Sequence, residues 1–122
     1  MDDETFDIGR LARLDVPLKR FEAGERIFLE DDRADCMYVV RSGTVDVITF
    51  GTVLETVGAG GMFGEIGLID GGVRSAAALA SEATEVAVID RQTFDTLVRE
   101  EPGFCQHIMR LLVARIRQLA AG

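Results

Sequence analysis

This chain of 122 residues has a single histidine, two cysteines, two prolines, one tyrosine and no tryptophan. Each scarcity removes a class of function. One histidine, His107, excludes a multi-histidine metal site. A Ser/His/Asp or Cys/His nucleophile would have to use that same residue. Its nearest thiol, Cys105, is two positions away and so about 200° around the helix expected there. Cys36 and Cys105 are 69 positions apart and match no CxxC or other metal spacing, so both read as buried thiols of a reducing compartment. Basic charge is also short: 13 Lys and Arg stand against 21 Asp and Glu, a formal net charge of -8. A surface of that sign repels a phosphate backbone, which argues against a nucleic-acid binder. No apolar run approaches the ~18 residues of a membrane span. The opening MDDETFDIGR lacks the basic-then-apolar layout of a secretion signal, so a cytoplasmic location is expected.

What is present is apolar content of 48% and 13 glycines, which suits one globular domain rich in tight turns. A chain of this length buries roughly two-thirds of its unfolded surface and needs no disulfide or metal staple. Phe6, Ile8, Leu11 and Leu14 predict a short N-terminal helix within residues 1–15. From Val16 the texture changes to period two, and residues 16–90 read as seven or eight short strands. These cover 17–21, 26–29, 36–40, 44–50, 52–57, 76–80 and 85–89. Residues 91–120 then read as two helices. Asp90 caps the first, with Phe94, Leu97 and Val98 on one face. Pro102 ends it. The second, from about Gly103 to Leu119, is expected to pack through Phe104, Ile108, Met109, Leu112, Ile116 and Leu119. Its polar side, with Arg110, Arg115 and Arg117, is expected to stay free for a ligand or partner. The pattern is that of a β-sandwich or jelly roll with flanking helices.

Seven of the 13 glycines crowd between Gly58 and Gly72. A long helix there would lose about 1 kcal/mol per glycine. A loop with one helical turn at Glu65–Ile69 fits instead. Glycines let backbone amides converge, and a helix start adds positive potential, which together suit an anion. Arg74 is the nearest counter-charge, with a fork that holds two phosphate oxygens, and Ser75 can add a bond. The segment is neither Walker A nor GxGxxG. On these grounds alone it is either a phosphate cradle or a turn-rich loop.

Phe63-Gly64-Glu65-Ile66-Gly67-Leu68-Ile69, followed by Arg74-Ser75-Ala76, resembles the phosphate-binding cassette of the cyclic-nucleotide-binding domain family. Phe21-x-x-Gly24-Glu25-x-Ile27-Phe28 resembles its early hairpin, and Met37-Tyr38-Val39-Val40-x-Ser42-Gly43-x-Val45 its central strands. The resemblance spans roughly residues 16–119. It implies a β-roll, a double-stranded β-helix of jelly-roll type, with the cassette at 58–76, as a single domain over 1–122. It also implies a ligand, cAMP in preference to cGMP, and no catalysis. Amides around Gly64 and at Ser75 would hold the cyclic phosphate and Arg74 would neutralise it, with Phe63, Ile66 and Ala76 as further ligand-binding positions. Glu65 would accept the ribose 2′-hydroxyl, its charge held near Arg74. Val47 and Leu54 would line the base. Val73 and Gly67 stand where many members have proline and alanine, and Ala77 replaces a common Thr or Ser.

The family moves its C-terminal helices to act on an output domain. The final helix is therefore the expected switch, with Arg115 or Arg117 stacking on the base. The opening Met and the Ala120-Ala121-Gly122 tail favour a free-standing sensor that acts on a protein effector. The alternatives are a nucleotide-independent interaction domain of the same fold and a fragment of a larger regulator.

Overall fold

A computed structural model describes Leu11, residues 14–118 and the backbone of 119–121. The expected helix at the N-terminus lies almost wholly outside these residues. Of its apolar set, Leu11 is buried, and Leu14 packs on the same cluster.

Eight strands and three helices follow in order: β1 (Leu18–Phe21), β2 (Arg26–Phe28), β3 (Cys36–Ser42), β4 (Val45–Thr49), β5 (Thr52–Val57), β6 (Met62–Phe63), α1 (Glu65–Asp70), β7 (Ala77–Ala80), β8 (Thr84–Asp90), α2 (Arg91–Glu100) and α3 (Pro102–Ala121). They form two antiparallel four-stranded sheets, ordered β1-β8-β3-β6 and β2-β7-β4-β5. This is the expected roll. Strand β6 is not among the expected strands. Two residues wedged among glycines carry no alternation, and Met62 and Phe63 become a strand by pairing with Val39 and Tyr38 of β3.

Strand β3 explains why there are two cores. Its first five residues are all buried, and alternation sends them to opposite faces. Cys36, Tyr38 and Val40 enter the space between the sheets, with Phe63, Ala78, Ala80 and Val86. Met37 and Val39 face the helices, with Leu68, Ile89, Leu97, Phe104 and Ile108. One strand thus separates the roll interior from the helical layer.

Asp90 caps α2 by accepting the Thr93 amide at 2.8 Å, a bond that holds its carboxyl below the usual carboxylate range. Phe94 of α2 meets Phe104 of α3 edge-on, ring centroids 5.6 Å apart. The buried face of α3 agrees with the expected one at Phe104, Ile108 and Leu112 and departs from it elsewhere. Phe104 and Ile108 are buried and Leu111 packs beside them, whereas Met109 and Ile116 stand 54% and 64% exposed. Both choices have helical spacing. The sheet beneath selects one, and the side chain of Leu119 lies outside the described residues. No described helix is long and apolar enough to cross a membrane.

Candidate functional site

The glycine-rich segment runs from β5 through β6 into α1. Gly64 precedes α1 at φ 82, a left-handed conformation that favours glycine. Gly71 closes the helix at φ 73, with the amides of Gly71 and Gly72 capping the carbonyls of Leu68 and Gly67. A Cβ on Gly67 would lie 2.5 Å from Cβ of Ala34, so glycine at 67 accommodates the loop that carries Ala34. That loop in turn positions Arg74. The amides of Asp31 and Arg74 bond to the carbonyls of Arg74 and Asp32 at 2.9 and 2.7 Å, and Ala34 bonds to Gly72 at 3.1 Å.

Arg74 is 3% exposed. Its Nη1 donates to the carbonyl of Gly64 at 3.0 Å, and its Nη2 reaches Sγ of Cys36 at 3.6 Å. The guanidinium carbon lies 4.2 Å from the centroid of the Phe28 ring and 5.7 Å from that of Tyr38. Nε is buried without a hydrogen-bond partner. Among the described residues no carboxylate pairs with Arg74. A buried cation without an anion is costly, which makes Arg74 a candidate for holding an incoming negative charge.

Glu65 takes its ion-pair partner from α3 rather than from Arg74. Glu65 is 0% exposed, and its Oε2 accepts from Nη1 of Arg115 on α3. Nε of Arg115 donates to Glu55 at 3.0 Å, and Nη2 donates to the Met62 carbonyl at 3.1 Å. Burial would lower the Arg115 pKa, but the charges of Glu65 and Glu55 and their hydrogen bonds outweigh it and hold the pKa above the ordinary value. Next to it, Gln118 donates to the carbonyl of Leu54 at 2.7 Å. Arg115 is therefore not free on a polar face. It follows Phe104, Ile108 and Leu111 at helical spacing, so it is the next step of the buried stripe. That arginine in line with the apolar positions was the available signal. Oε1 of Glu65 remains buried with no partner.

The other predicted residues divide. Phe63 is fully buried and stacks on Tyr38, so only its backbone can meet a ligand. Ala76 is buried and Ser75 is exposed beside Arg74. Val47 is half-buried against the inner core, and Leu54 is 39% exposed on β5. Ile66 is 41% exposed and borders a groove with Ile69, Asp70 and Leu112. A cleft of about 640 Å³ opens between β5 and α3, with Glu55, Gly58, Met62, His107 and Arg115 among its walls. Arg74, Ser75, Val47 and Leu54 do not line it, but Arg115 both walls this cleft and touches Glu65. Sequence reasoning missed Glu55, Phe28, Tyr38 and Cys36 as neighbours of the site. No group of three His, Cys, Asp or Glu among the described residues is placed to hold a metal.

A family model, the cyclic nucleotide-binding domain, matches residues 18–101. The chain belongs to that family. The cyclic AMP receptor protein of Thermus thermophilus is 33% identical over 103 residues, 80% of this chain and 48% of that protein. A cAMP-dependent protein kinase regulatory subunit of Debaryomyces hansenii is 36% identical over 84 residues, 67% of this chain and 19% of that protein. Among solved structures, the Thermus thermophilus catabolite activator protein superposes with a TM-score of 0.80 at 31% identity, covering 93% of this chain and 55% of that one. The chain thus spans about half or less of the length of these relatives.

Proposed function

We propose that this domain is a non-enzymatic sensor of a 3′,5′-cyclic purine nucleotide, cAMP in preference to cGMP, that signals to a protein effector through α3. The observation that carries the reading is Arg74: a buried guanidinium with an unpartnered Nε, no paired carboxylate among the described residues, and a glycine-rich turn against it. A cyclic phosphodiester carries one negative charge, which is what that cation lacks. Glu65 supplies the second contact. Its Oε2 is taken by Arg115, while Oε1 retains lone pairs for a ribose 2′-hydroxyl. The nucleotide and α3 then share one carboxylate, so occupancy is felt by the helix. The preference for cAMP rests on the names of the relatives, a cyclic AMP receptor and cAMP-dependent kinase subunits.

The test is thermal unfolding of protein freed of carried-over ligand, with and without each nucleotide. Ligand at about 100 times Kd adds about 2.7 kcal/mol, which raises Tm by about 10 °C for a domain of this size. A larger shift with cAMP than with cGMP is expected. No shift with either removes the reading.

A further inference from the structure

Arg74 is held in an uncommon way. Among the described residues its charge rests on rings and on no acid. Phe28 belongs to β2 in one sheet, while Tyr38 and Phe63 belong to β3 and β6 in the other. The three rings form a closed cluster, with centroids 6.0 Å apart for Phe28–Tyr38, 6.0 Å for Phe28–Phe63 and 5.0 Å for Tyr38–Phe63. Phe63 immediately precedes Gly64, whose carbonyl accepts from Arg74. The cluster therefore fixes both the guanidinium and the backbone it bonds to. Cys36, two residues before Tyr38 on the same face of β3, offers its sulfur to the other terminal nitrogen.

We infer that Phe28 and Tyr38 are positioning residues for anion binding: a two-ring bed that holds the Arg74 guanidinium at the phosphate site, with Cys36 fixing its rotation in its own plane. The inference deepens the nucleotide reading and rests on it for the identity of the anion. A carboxylate partner would neutralise Arg74 and compete with phosphate. Aromatic faces attract the cation through their quadrupole yet carry no net charge, so they hold the arginine in the dry interior and leave its charge for the ligand. Sulfur is a weak acceptor and yields its donor readily. The arrangement keeps Arg74 in place before the ligand arrives, which cuts the ordering cost of binding.

The experiment compares wild type, Phe28→Leu and Phe28→Tyr in two measurements. The first needs no nucleotide: the Arg74 Nε–H resonance, identified by its loss in Arg74→Ala. Wild type and Phe28→Tyr are expected to show it displaced by the rings, and Phe28→Leu to return it among the exposed arginines. The second is calorimetric titration with cAMP. Phe28→Leu is expected to weaken binding about tenfold, and Phe28→Tyr to stay within about twofold of wild type. Adding Phe28→Leu to Arg74→Ala is expected to cost nothing further. If Phe28→Leu does not fold, Phe28→Met removes the ring at similar volume. An unchanged resonance together with unchanged affinity in the ring-deleted variant overturns the inference, as does an equal loss with Arg74 already absent. Should wild type bind neither cAMP nor cGMP while the resonance still depends on Phe28, the nucleotide reading falls and the positioning role stands.

Discussion

Arg115, near the end of α3, donates to Glu65, the first residue of α1, across 50 positions of sequence. The pair ties the last helix to the turn that resembles a phosphate cassette. With Glu65 fully buried and Arg115 bonded also to Glu55 and Met62, the link is a specific lock rather than a surface ion pair. The first prediction follows from its burial. Arg115→Ala leaves a carboxylate in the interior without compensation and is expected to cost about 3 kcal/mol. Glu65→Gln keeps the shape, removes the charge and is expected to cost less. The double variant should be more stable than Arg115→Ala alone, because it strands no charge. Urea unfolding of the four proteins measures this. Strictly additive losses would show that the two side chains do not act as a pair.

Gly64 tests how tightly the cassette is built around Arg74. At φ 82 any other residue is strained, and a Cβ there would stand 2.9 Å from Nη1 of Arg74. Gly64→Ala is expected to cost about 1–2 kcal/mol in stability and to displace the guanidinium. Nucleotide affinity should fall by more than the stability loss accounts for, as seen in calorimetry well below the melting temperature. Full affinity in the alanine variant would place the ligand away from this turn.

The sequence made much of this legible. Alternation marked the strands, and the Asp90 cap and the Pro102 break marked α2 and α3 within a residue or two. The glycine cluster marked the turn that lies against Arg74. The partner of Glu65 was not legible, because a local motif places Glu65 and Arg74 close in sequence while their side chains pair by tertiary packing. Arg74 is taken by rings from two sheets, and Glu65 by a helix 50 residues on. Strand β6 escaped for a related reason: Met62 and Phe63 gain their conformation from β3 rather than from their own pattern. On α3, two stripes of helical spacing compete, and only the packed sheet decides between Leu111 and Ile116.

Tyr38 is the sole tyrosine of a chain without tryptophan, which makes its ionisation readable alone. Burial, with Cys36 beside it, pushes its hydroxyl far above the ordinary tyrosine range, and Arg74 opposes this only in part. In the unfolded chain Tyr38 loses its proton near pH 10. Above that pH the unfolded state holds fewer protons than the native one, so stability falls as pH rises. Phenolate absorption should therefore appear together with the loss of circular dichroism in an alkaline titration. Ionisation near pH 10 in protein that stays folded would contradict the packing described for Tyr38.

Hydrogen exchange tests the link from ligand to helix. The 2′-hydroxyl of a bound nucleotide would add a bond at Oε1 of Glu65 and tighten the carboxylate that Arg115 holds. Added protection is expected both in 64–76 and in the α3 turns around Arg115. A 2′-deoxy cyclic nucleotide should protect the cassette and leave α3 closer to its free state. Protection confined to the cassette with either ligand would mean that α3 is not the output.

The most direct measurement is calorimetric titration of wild type, Ser75→Ala and Arg74→Ala with cAMP and cGMP. Charge-assisted hydrogen bonds contribute about 1.5–3 kcal/mol against about 1 for a neutral one. Tighter binding of cAMP is expected, with about a fivefold loss for Ser75→Ala and a loss beyond tenfold for Arg74→Ala. Arg74→Lys should recover only part, since a point charge lacks the two-pronged fork. Equal losses in Arg74→Ala and Ser75→Ala, or undiminished binding in Arg74→Ala, would contradict the claim that the buried guanidinium receives the phosphate.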